Sequence, residues 1–422
     1  MSRPPEAGPV LQRPRRRRGR FTDRHLLIGE GFFSGTATAT HNAFFITLLV
    51  QIGVGTLALG IYTSLNGLLA NASGLAGGRL RRHIPNRRVL AAVTGGVGRL
   101  GFLLIALLLF VQGAGVNSIA LIALALTSVT AIGLGLPVLT SVIADSVNPR
   151  ERGFFFANRL LASGIGATIV AIGIAALLRQ LSFPNGFTIA YALAGLAGLG
   201  SVATLMSLRR VRNAPVTATA GAAGYGLFGS VSPLMWRYAS ATFVLWFGAA
   251  LVAPVLTPYI LNDLGASPSF IGLMTAVNAV TGLLIQRFWG RRVDRFGSFP
   301  VLGVTMAAVS SLPVLYAITP TYWFALGFEV ISGVAWAGYA LANLNYAIEI
   351  APVEERARYT SVGNAAAGVG AFLGPLVAAL LLVVVEPQIV LFLSGAIRLS
   401  AFFAVRLARP PAHAPLATPT TT

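Results

Sequence analysis

The chain contains no cysteine, so disulfides, thiolate metal sites and cysteine nucleophiles are excluded. It contains no lysine either: all 31 basic residues are arginine. Acidic residues number only 12, and charged residues make up 10% of the 422 positions. A soluble domain normally carries about a quarter charged residues. A chain this long with so few charges cannot cover a surface facing water. The sequence also lacks a nucleotide-binding Gly-Lys-Ser/Thr loop, a metal-ligand cluster and a nucleophile–His–acid set. The expectation is no enzyme, no cofactor and no metal. What is there is apolar: 55% of residues are hydrophobic and the mean hydropathy is +0.76. Such a chain belongs in a lipid bilayer.

The few charges are placed with a bias. The net charge is +19, which in a soluble protein points to nucleic acid. Here the arginines fall between apolar runs and at the N-terminus, as in cytoplasmic loops, so no nucleic-acid partner is expected. Twelve apolar spans of about 20 residues are read between Phe32 and Val405. The even-numbered joints carry Arg79, Arg81, Arg82, Arg87 and Arg88, then Arg150 and Arg152, Arg209 to Arg212, Arg291 to Arg295, and Arg356 with Arg358. The odd joints carry almost none, Arg179 being the main exception. This places both termini and the even joints in the cytoplasm of a multi-pass protein of the cytoplasmic membrane.

The expected fold class is all-α: twelve transmembrane helices in two pseudo-symmetric six-helix halves. Residues 1–28 read as a disordered basic tail, 29–208 as the first half, 209–235 as a cytoplasmic linker, 236–407 as the second half and 408–422 as a disordered tail. The linker reading rests on a Gly-, Ala- and Thr-rich stretch without acids. An internal echo supports two halves. The shift that carries Asp145 onto Glu349 also carries Glu151 onto Glu355, Arg152 onto Arg356, Gly164 onto Gly368 and Gly166 onto Gly370. A slightly longer shift carries Gly78 onto Gly290. Two related halves are a transporter signature, with a substrate site expected between them near the midplane.

These features resemble the major facilitator superfamily from Phe32 to about Arg406. The likeness rests on the loop Gly290-Arg291-Arg292-Val293-Asp294-Arg295-Phe296-Gly297, on the echoed Asp145…Arg152 and Glu349…Arg356 joints, and on Gly370…Gly374-Pro375. The first-half copy of the loop departs, with Arg82 where the acid is expected and Pro85 where the second glycine is expected. The resemblance implies a secondary transporter, with a small-molecule substrate and the bilayer as partners, working by alternating access as a monomer. Proton-coupled efflux is one reading. A facilitator or importer of sugars or metabolites, and a non-transporting receptor or lipid-handling protein, are the alternatives. The resemblance also implies a cytoplasmic latch. Its candidates are Gly290, Arg291, Asp294, Arg295, Gly297, Glu349 and Arg356, with a weaker first-half set of Arg79, Asp145 and Arg152.

Candidates for substrate or coupling come from polar groups inside the spans. Glu329 is read as the only acid well inside one. A carboxylate there costs several kcal/mol unless paired, hydrated or protonated, so it is the candidate to exchange a proton. His41 sits mid-span beside Asn42 and is a candidate to bind substrate or relay a proton. Trp336 and Asn343 follow Glu329 at intervals of seven residues, which puts all three near one helix face. Asn278 and Asn364 complete the set as buried amides. Arg99 and Arg398 are read as structural, bonding to carbonyls or snorkelling. Pro254, Pro258, Pro313 and Pro375 are expected to bend or unwind their helices.

Overall fold

The structure is a computed structural model and describes residues 17–80, 86–147, 151–208, 232–352 and 355–407. Among these residues there are twelve long helical segments and no strand. They are α1 (Arg17–Gln51), α2 (Thr56–Leu80), α3 (Arg87–Gln112), α4 (Ser118–Ser146), α5 (Arg152–Gln180) and α6 (Asn185–Met206). Then come α7 (Pro233–Asp263, interrupted), α8 (Pro268–Phe296), α9 (Ser298–Ala317), α10 (Phe324–Glu349), α11 (Arg356–Leu381) and α12 (Pro387–Leu407). Ten of them, α3 to α12, are long and apolar enough to cross a membrane. The two below that mark carry more polar residues: α1 holds His41, Asn42 and a run of threonines, and α2 holds Asn66, Asn71 and several hydroxyls.

Helix starts follow local chemistry. Asn86 caps α3 by accepting from the Val89 amide, Asn117 caps α4 from Ile119 and Ala120, and Ser232 caps α7 from Met235. Such caps contribute about 1 kcal/mol each. The helix α1 begins at Arg17, well before Phe32, so part of the expected tail is helical. The arginine-rich stretch after Pro14 contains no breaker but Gly19, which a helix tolerates. Of the expected proline bends, only those in α7 interrupt their helix. The chain turns at Val252–Val255, resumes at Leu256–Pro258 and ends in a π-turn at Tyr259–Asp263. Pro313 and Pro375 lie inside uninterrupted helices. Neighbouring helices can re-satisfy the freed carbonyls.

The halves share one pairing scheme. In the first, α1 packs on α5 and α6, α3 on α4 and α6, and α2 on α4. In the second, α7 packs on α11 and α12, α9 on α10 and α12, and α8 on α10. Adding six to each number converts one set into the other. The most extensive contacts between halves are also a symmetric pair, α2 with α11 and α5 with α8, and α1 touches α7 and α8 besides.

Small residues make those crossings. On α2, Gly60, Ser64, Gly67 and Asn71 form one stripe facing Ala379, Phe372, Ala371 and Gly368 of α11. The Ser64 hydroxyl donates to the Phe372 carbonyl at 2.5 Å. On the other seam Gly272 meets Ala175, and Gly164 meets Leu283. These contacts run from the helix ends remote from the arginine joints to about mid-helix. A Cβ on Gly67 would lie 2.9 Å from the Ala371 carbonyl oxygen, a main-chain atom with no room to yield. Gly67→Val is expected to wedge α2 from α11 at a cost of about 1–3 kcal/mol. Spin-label distances across the seam would lengthen. An unchanged distance distribution would mean that the seam is slack.

Candidate functional site

A cavity of about 360 Å³ lies where the halves face each other. The first half contributes Ala39, Asn42 and Ala43 of α1; the second contributes α7, α8 and Glu329 of α10. A second chamber of about 290 Å³ lies within the second half, between α7, α9, α10 and α12. Glu329 lines both. It forms part of the wall between them, and its two oxygens bond to different helices. One accepts from the Tyr316 hydroxyl of α9 at 2.8 Å, the other from the Asn278 amide of α8 at 2.7 Å. Asn278 also donates to Ser332 at 2.9 Å, which holds the amide in that orientation. Among the described residues, no cation lies within ion-pair distance of Glu329. A half-buried carboxylate held only by neutral donors is poorly compensated as an anion and well accommodated as an acid.

The sequence-derived candidates divide. Asn278, Glu329 and Trp336 come together around the two cavities, and Asn42 lines the central one. The Trp336 ring packs against Trp246 and Tyr339, with centroids 5.7 Å and 5.5 Å away. Asn343 lies two turns further along α10, where its carbonyl accepts from Tyr238 of α7 at 3.3 Å. It ties two helices together and lines neither cavity. Asn364 is exposed on α11 and also lies outside both linings.

His41 is displaced from the expected cavity. Its side chain points into the first half's own core, 3% exposed, stacked on Phe102 at 5.2 Å and close to Phe45 and Tyr191. Its Nε2 meets the Tyr62 hydroxyl at 3.1 Å. Adjacent residues on a helix point about 100° apart, so Asn42 faces the cavity and His41 the core.

A buried acid of α1, Glu30, went unseen in the sequence. Glu30 is 1% exposed in α1, because that helix starts fifteen residues before Phe32. One Glu30 oxygen accepts from Arg159 of α5 at 3.0 Å and 2.5 Å, and the other from Ser201 of α6 at 3.0 Å. Arg99 of α3 donates to Ser34 at 2.9 Å and lies within electrostatic reach of Glu30. Tyr316, Ser332 and Arg398 are further polar residues of the site region to which the sequence assigned no site role. Nothing in the spacing between Tyr316 and Glu329 marks them as partners. Arg398 bonds carbonyls as expected, those of Val309 at 3.0 Å and Ala249 at 3.3 Å.

The charged stretch Gly290–Gly297 is not a loop. It forms the last two turns of α8, and only Gly297 turns, with φ +81° and its amide on the Val293 carbonyl. Gly290 has open space around it, so close approach does not require glycine there in this conformation. Arg291, Asp294 and Arg295 are exposed, and among the described residues Asp294 has no partner. Arg292 and Arg295 stack on Phe288 and Phe296. Glu349 accepts from the Ser298 hydroxyl instead of pairing with Arg356, which is exposed. The side chains of Arg79, Asp145 and Arg152, and all of Arg82, lie outside the described residues.

Comparison with known proteins agrees with this architecture. The family model described as Major Facilitator Superfamily matches residues 238–422. The tetracycline resistance protein, class C, of Escherichia coli is 33% identical over 137 residues, covering 32% of this chain and 34% of that protein. The quinolone resistance protein NorA of Staphylococcus aureus is 27% identical over 161 residues, covering 38% and 41%. The matches thus span well under half the length of these relatives. The xylose transporter XylE from E. coli superposes with a TM-score of 0.70 at 15% identity, over 94% of this chain and 98% of that one. The nucleoside transporter NupG gives 0.70 at 12% identity, over 93% and 99%. With its duplicated helix pairing and its two symmetric seams, the chain has a fold similar to these transporters, and its second half matches the Major Facilitator Superfamily model.

Proposed function

We propose that the chain is a secondary transporter that exports a small organic molecule across the cytoplasmic membrane by alternating access, with Glu329 exchanging the coupling proton. The observation that carries this reading is the placement of Glu329. It lines the cavity between the halves, bonded to two neutral donors and to no cation. The relatives named for tetracycline and quinolone resistance favour efflux. Asn42 and Asn278 line the same cavity as substrate contacts. Both termini lie in the cytoplasm, and α1 and α2 cross the membrane with the other ten. The protein acts as a monomer. Flux in proteoliposomes, with and without a pH gradient and over a broad substrate panel, tests the proposal. Flux indifferent to the gradient would favour a facilitator, and no flux at all a receptor or lipid-handling protein.

The structure has its seams closed at the end remote from the arginine joints. In the opposite state the arginine ends come together, and Asp294, with Glu349 and Arg356, forms the latch. Asp294→Asn is therefore expected to shift the balance toward the conformation seen here, and Arg82→Ala to shift it less. A single cysteine at Ala371, in a chain that has none of its own, reports the seam. Its labelling should fall further in Asp294→Asn than in Arg82→Ala. Equal labelling would remove the asymmetry between the two loops.

A further inference from the structure

We infer that the chamber walled by Arg398 is a binding site for a small monovalent anion, either a carboxylate borne by the transported molecule or a free halide. This rests on the transporter reading of Glu329 and extends it to the chemistry of the ligand. Arg398 is 5% exposed, deep in α12, and reaches the chamber. Two of its N–H groups go to the Val309 and Ala249 carbonyls, and Nε has no partner. Among the described residues no carboxylate lies within ion-pair distance of it. A guanidinium inside a bilayer without a counter-ion is costly. Backbone carbonyls satisfy some of its donors and leave its charge uncompensated.

The chamber supplies the room and a second condition. Its titratable or charged lining residues are Arg398 from α12, Glu329 from α10 and Tyr316 from α9; α7 contributes none. Arg398 and Glu329 therefore line one chamber without touching. With Glu329 ionised, the chamber already holds a negative charge, and an arriving anion is repelled. With Glu329 protonated, Arg398 is the remaining charge and draws an anion in. Anion entry and proton uptake accompany each other, since two like charges in a weakly screened space oppose one another. Leu256, Thr257 and Glu329 line both the chamber and the central cavity, so the anion site adjoins the central cavity across that wall.

Trp336 lines the chamber and serves as the reporter. The experiment is iodide quenching of tryptophan fluorescence on purified protein in nanodiscs of neutral phosphatidylcholine, with acrylamide as an uncharged control. The expected result is a saturable iodide component that strengthens from about pH 7 to about pH 4, where carboxyl groups take up protons. Trp336→Phe should remove that component. Arg398→Gln should weaken iodide binding about tenfold, the scale of a lost hydrogen bond to a charged group. Ala253→Phe fills the chamber while keeping Arg398 and should do the same, which covers the case of a misfolded arginine variant. Glu329→Gln should bind iodide equally at both pH values. Displacement of iodide by acetate identifies a carboxylate ligand; displacement by chloride alone identifies a halide. Purely linear quenching, or saturable quenching unchanged in Arg398→Gln and Ala253→Phe, or displacement by neither anion, overturns the site. The assay uses no gradient. Normal proton-driven flux without saturable quenching therefore sinks only the anion site, and saturable quenching without flux sinks only the transporter reading.

Discussion

Glu329→Gln is expected to abolish gradient-driven accumulation while leaving exchange of substrate across the membrane. Glutamine keeps the size of the side chain and can still accept from Tyr316. Its amide can face Ser332 or the Asn278 carbonyl if that amide turns over. The local structure therefore survives, and what is lost is the ability to pick up and release a proton. Accumulation against a gradient should fall by at least about tenfold, the loss of 1.4 kcal/mol or more of coupling. Counterflow with equal substrate on both sides should persist. Glu329→Asp, which retains the acid on a shorter stem, should recover part of the coupling. Uphill accumulation undiminished in Glu329→Gln would place the proton site elsewhere. Glu30 would not inherit the role easily, because it is already neutralised by Arg159.

The largest effect on stability is expected at Glu30→Ala. Removing one partner of a buried ion pair leaves the other charge uncompensated, at a cost of about 3–5 kcal/mol. Here the loss is compounded, since Arg159 and Ser201 both bond the same carboxylate. The contrast is the pair of Arg24 with Glu151, whose side chains are 36% and 52% exposed. Such exposed pairs contribute about 0–1 kcal/mol, so Glu151→Ala should barely move the thermal midpoint in detergent. Glu30→Gln should fall between, keeping the bond to Ser201. Comparable midpoints for Glu30→Ala and Glu151→Ala would mean that water reaches Glu30 and solvates it.

The bundle was legible in the sequence because its signals are additive over many residues. Twenty-residue apolar runs, arginines at alternate joints and the Asp145/Glu349 echo each read out a constraint the bilayer imposes. The ends of α1 were not, since a charged helix entering water looks like a tail. That one boundary hid Glu30. The contribution of Asn278 and Glu329 to one site could be listed but not paired, because helix α8 meets α10 through rotation about their axes. Composition does not encode that rotation. His41 and Asn42 show the same limit: neighbours in sequence, one faces a core and the other a cavity. The Gly290–Gly297 charges were read as a loop because charge and glycine signal water, while the helix simply runs on into water until Gly297.

Two of the buried arginines, Arg99 and Arg398, sit on equivalent seams but on opposite members of them. Arg99 comes from α3 and packs against α6 at Gly198; Arg398 comes from α12 and bonds across to α9. The order of synthesis makes this matter. When α3 emerges, α1 and Ser34 are already in place, but Glu30 must wait for α5 and α6 before its own charge is met. Arg398 arrives last, when α7 and α9 already offer the carbonyls it needs. Ribosomes deliver the N-terminal part first. The first half is thus a self-sufficient insertion unit only once residue 201 has entered. A nascent chain stalled between α1 and α5 leaves Glu30 without Arg159 and Ser201, the partners that hold its carboxylate in the finished fold, and quality control would meet the protein at that stage.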